Sequence, residues 1–239
     1  MATHTRSSAL MLAVGVAIGL IGLGALLRTA ALDYKATERS VRVKGLSERE
    51  YPADIVIWPI QFTVADNDLG LLYESINRNT GAIRRFLNAR GIEDAEITTP
   101  APVITDKSAQ QYGGGPRAQF RFSAIQTVTV YSENIDTVRA AMNGLSALGE
   151  QGIVLSGDNY MAQTEYLFTR LNDVKPDMIE EATRKAREVA EKFASDSDSQ
   201  LGKIRKASQG QFSISPRDKI NPLIKRVRVV STVEYYLSD

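Results

Sequence analysis

A chain of 239 residues with 43% hydrophobic and 24% charged residues suits one large domain or two small ones, and it is too apolar for disorder. Its 29 Lys+Arg stand against 28 Asp+Glu, and a net charge of +1 gives no overall field for gathering nucleic acid. Without cysteine there are no disulfides, thiolate nucleophiles or cysteine metal sites; the single histidine, His4, precedes the first apolar run, so the body lacks histidine triads and histidine metal clusters.

After a short tail (residues 1–8), Ala9 to Leu27 read ALMLAVGVAIGLIGLGALL, without one charge. At 1.5 Å per residue the run reaches about 28 Å, close to the thickness of a bilayer core. This predicts a transmembrane helix over 9–28, with Leu10, Val14, Ile18, Leu23 and Leu27 among its anchoring side chains. A cleaved signal peptide is the competing reading, and the small residues of RTAALD would permit cleavage. Signal peptides usually carry only about 7–15 apolar residues behind a more basic start, so the length favours an uncleaved anchor. Gly15 and Gly19 have the spacing of helix–helix contacts in membranes, although glycine is common in such helices anyway. The flanking charges barely discriminate orientation, but a short tail before a long C-terminal domain most often leaves that domain outside the cytoplasm, which is the expectation here. Residues 29–40 read as a polar linker.

Residues 41–239 form the predicted folded domain. VRVKG (41–45) is a short strand. In residues 53–66, Val56, Trp58, Ile60, Phe62 and Val64 share one strand face, and Pro59 demands an edge or a bulge. Asn67 or Asp68 caps a helix whose stripe is Leu72, Ile76, Ile83 and Leu87, and Gly91 ends it. Extended segments follow near 95–105 and 117–131, the second with Phe120, Phe122, Ala124, Val128 and Val130 on one face. A helix at about 134–149 carries Ile135, Val138, Met142, Leu145 and Leu148. Residues 159–173 read as a strand, 174–199 as a long helix with Pro176 in its first turn and Asn172 and Asp173 as caps, and 224–237 as the last strand. Between them, LGKIRKASQGQFSIS (201–215) places Gly202 as a helix cap. Ile204, Phe212 and Ile214 then face inward, Lys203 and Arg205 outward, with a bulge near 207–210.

The two halves align. At a lag of 106, Leu72, Ile76, Ile83 and Leu87 fall on Met178, Ala182, Val189 and Phe193; at 105, Phe122, Ala124, Val128 and Val130 fall on Val227, Val229, Val233 and Tyr235. The expected fold is α+β: two pseudo-repeated β-α-β-β units (about 53–131 and 159–238) with mixed or antiparallel sheet and a linking helix, behind one N-terminal transmembrane helix.

No motif for catalysis or cofactor binding stands out, and no cofactor or metal is expected. YGGGPR (112–117) lacks the phosphate-loop signature and joins two strands. Asp66, Asn67 and Asp68 read as a capping turn, not as a calcium loop. Glu180/Arg184, Glu181/Lys185, Arg184/Glu188 and Glu188/Lys192 make a solvated helix face of both signs, unlike a nucleic-acid stripe. Trp58 and Tyr160 read as core. The long polar loop at 105–118, with Gln111, Tyr112, Gly113, Gly114, Gly115 and Arg117, and its counterpart at 215–223, with Arg217 and Lys219, are the candidate contacts for subunits or partners.

VRVKGLSEREYPADIVIWPIQFTVADN, the helix ATRKAREVAEKFA followed by LGKI, and the terminal VRVVSTVEYYL resemble the SIMPL-domain family over about 41–239. The resemblance implies a bacterial cell-envelope protein, usually exported to the periplasm, with homo-oligomeric rings or channel-like particles and a loose link to stress tolerance. It supplies no catalytic residue. The longer apolar run here departs from the family's ordinary signal peptide. The expectation is a non-enzymatic protein of the inner membrane, single-pass, with its domain in the periplasm, whose partners are itself and the bilayer and not nucleic acid. The alternative is an envelope module that binds a ligand or partner protein through its loops.

Overall fold

The computed structural model describes residues 3–36, 39–109, 119–156 and 163–238. The chain divides into two units, each threaded by more than one segment: Met1–Glu48, Val174–Ser213 and Arg228–Asp239 form one, Arg49–Asp173 and Ile214–Val227 the other.

The second unit holds a five-stranded antiparallel sheet. Strands β2 (Ile55–Asp66) and β5 (Phe122–Ser132) pair along their full lengths from Val56↔Ser132 to Asp66↔Phe122. β3 (Ile97–Thr98) and β4 (Val103–Asp106) join β5, and β6 (Glu165–Leu167) joins β2. The alternation of β2 works as expected: Val56, Trp58, Ile60 and Phe62 are buried, and Val64 is half-buried. Pairing with β6 stops at Ile57, and residues 154–156 rejoin this side of β2 at Gln61 and Thr63. Pro59, which has no N–H, falls in the gap between them.

Over the buried face lie α2 (Leu69–Asn88) and α3 (Ile135–Asn143). Leu72, Ile76, Ile83 and Leu87 are buried as their spacing predicts, joined by Phe86. Asp68 caps α2 by accepting from the Leu71 N–H at 3.0 Å. Asp66 accepts from the Asp68 N–H, and Asn67 from the Arg121 N–H, so the turn is spent on backbone hydrogen bonds. Gly91 beyond the helix has φ +84°, where a side chain is strained. The helix expected over 134–149 is two: α3 ends at Gly144, against which the Arg90 guanidinium lies, and α4 (Ser146–Glu150) follows.

Of the strand expected over 159–173, residues 159–162, Tyr160 among them, lie outside the described residues, and β6 covers Glu165–Leu167 of the rest. Asp54 explains the early end of β6. Its carboxylate accepts from the Thr169 N–H at 2.9 Å and from the Arg170 Nε at 3.2 Å, turning the chain directly into α5. Helix α5 (Leu171–Asp196) therefore begins earlier than expected. Asn172 and Asp173 lie in its first turn rather than capping it, and Pro176 stands inside the helix, unable to donate to the Asn172 carbonyl.

In the four-stranded sheet, most of whose residues belong to the first unit, β9 (Ile224–Ser238) lies between β1 (Ser40–Pro52) and β7 (Gln200–Gln209), and β8 (Ser213–Pro216) also pairs with β9. α5 covers this sheet with a row of small residues: Ala182, Ala186, Ala190 and Ala194 are buried beside Met178. Val43, Val233 and Tyr235 pack against that row. The inter-half alignment holds for Met178 and Ala182, which are buried like Leu72 and Ile76, but not for Val189 and Phe193, which are exposed where their counterparts Ile83 and Leu87 are buried. The strands also cross the expected repeats, since β6 joins the sheet of β2. The α+β class stands.

α5 is closed by Asp198, two residues past its end, not by Gly202. Asp198 has φ 50°, its N–H donates to the Ser195 carbonyl, and the Ser199 N–H donates to Ala194, closing a Schellman-type end. Gly202 is a strand residue. The register of β7 breaks between Leu201 and Ile204 and between Ile204 and Lys206, earlier than expected. Ile204 and Ile214 are exposed rather than inward, and the register shifts on both sides of Ile204 undo the parity of its position. Two of the expected α5 ion pairs form, Glu181–Lys185 at 2.6 Å and Arg184–Glu188 at 4.0 Å, beside Arg187–Glu191.

Helix α1 (Thr3–Ala36) extends through most of the expected linker, leaving three positions before β1.

Candidate interaction face

The alternation that sends the even residues of β2 and β5 into the core sends the odd ones outward. The unbroken register sets them in rows: Ile57 beside Tyr131, Pro59 beside Thr129, Gln61 beside Thr127 and Thr63 beside Ile125. The flanking strands extend the rows with Glu165 beside Ile57, Thr98 beside Thr129 and Val103 beside Ile125. Val103 is 66% exposed, Tyr131 49% and Ile125 39%. Of the residues in these rows, Glu165 alone is charged. The polar members satisfy one another: Gln61 Nε2 donates to Thr127 Oγ1 at 3.3 Å, and the Thr63 and Ser156 hydroxyls lie 3.0 Å apart. Among the described residues, the result is a nearly uncharged sheet face on which the apolar side chains of Val103, Tyr131 and Ile125 are exposed.

At the margin, Lys225 is buried with Glu165 nearby. Burial pushes its ammonium pKa below the ordinary lysine value, and the Glu165 carboxylate offsets part of this.

The loop residues Gln111, Tyr112, Gly113, Gly114, Gly115 and Arg117 lie outside the described residues. The strand end leading to that loop is pinned by Asp106, which accepts from Arg121 Nη2 at 2.9 Å and from the Ser108 hydroxyl. The Arg121 guanidinium holds the Asp106 carboxyl well below the usual carboxylate range, with Ser108 adding to the effect. In the other loop Arg217 is engaged within its own unit, with Asp218 at 2.9 Å and Glu50 at 3.7 Å. Asp218 in turn accepts from the Ile220 and Asn221 N–H groups. Arg217, then Asn221, lower the Asp218 pKa to about 2. Lys219 is exposed at this fixed turn beside Ile220, which is 89% exposed.

The anchor residues all fall on α1. Leu12–Ala30 forms a 19-residue apolar span, none of it buried, long enough to cross a membrane; a signal sequence has the same character. Val14, Ile18, Leu23 and Leu27 are exposed, with apolar side chains on every side of the helix.

A shallow groove of about 450 Å³ lies beside the outer end of β2, lined by Thr63, Ser75, Arg78, Asn79, Phe120 and Gln151 among others. Among the described residues, no three His, Asp or Glu side chains converge as a metal set.

The loops were singled out in the sequence for their length, whereas the sheet face was missed. Its signal was present: the odd positions of β2 and β5 carry no Lys, Arg, Asp or Glu from Ile57 to Thr63 and from Ser123 to Tyr131.

Together these features define an α+β protein of two antiparallel sheets behind one apolar N-terminal helix. Residues 41–229 match the family model SIMPL, described as a protein of unknown function (DUF541), and the chain belongs to that family. Comparison with curated proteins gives no match.

Proposed function

We propose that this protein is a non-enzymatic envelope protein, tethered to the bacterial inner membrane by α1 with its domain in the periplasm, that assembles with copies of itself through the open sheet face. The observation that carries the reading is the row pattern of Ile57, Tyr131, Ile125 and Val103 on a face with one charge. A solvent face normally carries lysines and glutamates, whereas an exposed apolar patch marks an interaction surface. Two such faces stack about 10 Å apart without bringing like charges together, so the face is complementary to itself. Family resemblance supports a ring or channel-like particle and a link to envelope stress tolerance.

Light scattering of the detergent-solubilised full chain tests this. The wild type is expected to be oligomeric at micromolar concentration and Tyr131→Arg with Ile125→Arg to be monomeric while still folded. A monomeric wild type, or assembly unchanged in the double variant, overturns the reading. N-terminal sequencing of the protein from membranes tests the anchor: an intact Met1 end supports it, and a start after residue 28 contradicts it.

The polar groove favours a second reading, a module binding a small polar ligand through Arg78 and its neighbours. Deletion of residues 108–116 or Arg78→Ala that leaves assembly intact but abolishes partner or ligand retention would favour it.

A further inference from the structure

We infer that the outward face of the β1–β9–β7 sheet, at the end that α1 enters, docks onto the anionic lipid headgroups of the bilayer. This rests on the anchor reading above.

β7 is an edge strand, exposed along its length except for half-buried Leu201. It is poorly suited to receiving another strand. Its two register breaks leave Lys203 and Arg205 without paired positions on β9, and bulges and lysines at an edge block strand addition. A second β7 laid antiparallel about its own centre would set Lys203 opposite Lys206, which repel.

The face itself is basic. Val43 and Gly45 turn inward, so Arg42 and Lys44 turn outward. Across β9, Lys206 pairs in register with Glu234. Arg205 Nη1 lies 2.8 Å from Glu234 Oε1, and its guanidinium lies 5.9 Å from the Tyr236 ring centre. Arg42, Arg205 and Lys206 thus gather at one carboxylate, which Arg205 and the Ser40 hydroxyl already engage, and Lys44 adds a fourth cation further along the same face of β1. An aromatic ring beside an arginine suits the boundary between headgroups and water.

Chain length places this face near the membrane. The apolar span ends at Ala30, six residues before the end of α1, or about 9 Å of helix, comparable to the headgroup layer. Arg42 follows Ala36 by six residues and so lies at most about 21 Å from it. The Leu237 N–H donates to the Arg39 carbonyl and Gln200 pairs with Ser238, so the start of β1, the end of β9 and the start of β7 share that end of the sheet. A negative surface attracts such a cluster within a Debye length of about 8 Å.

The test is hydrogen exchange of the peptides 40–46 and 200–209 in the full chain, held in nanodiscs of phosphatidylcholine alone or with phosphatidylglycerol. Exchange about tenfold slower in the anionic discs is expected, reversed by high salt and by Arg42→Glu with Lys206→Glu. Exchange in β2 and β5 should not change in that variant, and Lys206→Arg should restore protection. Equal exchange in both lipids, with the chain still in the disc, overturns the inference and leaves the anchor standing. The same protection from inorganic phosphate with phosphatidylcholine discs also overturns it, because the ligand is then a free anion. A chain that does not enter discs at all removes the anchor reading, and the inference with it.

Discussion

Gly45 on β1 lies so close to α5 that a β-carbon on it would overlap the Ala182 carbonyl oxygen and crowd the Ala186 amide. The atoms in the way are helix backbone, which cannot rotate aside as a side chain can. The alanine row of α5 and this glycine are thus one device: small residues on both elements let helix and strand approach. Gly45→Ala is expected to destabilise by about 3 kcal/mol, seen as a fall in urea midpoint. A midpoint within error of wild type would show that β1 can shift away from α5.

The end of α5 offers a change in the opposite direction. Asp198 holds φ 50°, where a β-carbon is strained. Its conformation, not its carboxylate, closes the helix, since the closing bonds come from the backbone N–H groups of Asp198 and Ser199. Asp198→Gly should therefore stabilise by about 0.5–1 kcal/mol, a rise of a few degrees in Tm. A lower Tm would mean that the added freedom of glycine in the unfolded chain outweighs the relieved strain.

Lys225 should also be improvable. The residue is buried, and burial lowers its pKa despite Glu165. A cation with a depressed folded-state pKa weakens the folded state at neutral pH, and the penalty fades as pH rises through the lowered value toward 10.5. Lys225→Met should stabilise by about 1 kcal/mol near neutrality and abolish that gain in stability at alkaline pH. Thermal melts from neutral to alkaline pH read both effects.

The Asp218 turn should open in acid. Its carboxyl titrates near 2 in the folded chain against an ordinary 3.8, so its contribution is complete above the ordinary value and disappears as pH falls through 2. The amide resonances of Ile220 and Asn221, which donate to Asp218, should shift together with an apparent pKa well under 3.8. In Asp218→Asn those shifts should be absent, and Arg217 should keep only its Glu50 contact.

Elements governed by local rules were readable from sequence. The inward row of β2, the stripe of α2, the Asp68 cap and the Gly91 exit each depend on spacing or on one residue's conformational preference, and all four stand as expected. The misreadings share a different cause. Aligning α5 with α2 through large apolar residues selected Val189 and Phe193, but the buried row is alanine because Gly45 brings a strand close, a fact about β1 and not about the helix. β6 was overestimated because Asp54, more than a hundred positions away, fixes where the chain turns. Parity points Ile204 inward, yet two register breaks in this edge strand cancel parity as a guide. The candidate face was half legible: the lack of charge at odd positions is in the sequence, but their alignment across β2 and β5 requires the register.

The last strand of the chain, β9, is the middle strand of its sheet, with β1 on one side and β7 on the other. Neither neighbour can complete its backbone pairing until residues 224–238 have been synthesised. Order of synthesis therefore opposes early folding of this sheet. A chain that crosses a membrane during translation would keep β1 and β7 unpaired throughout the crossing, and a truncation before residue 224 would leave both without their shared partner. Residues 224–238 thus close this sheet, and β1 and β7 depend on the one partner they share.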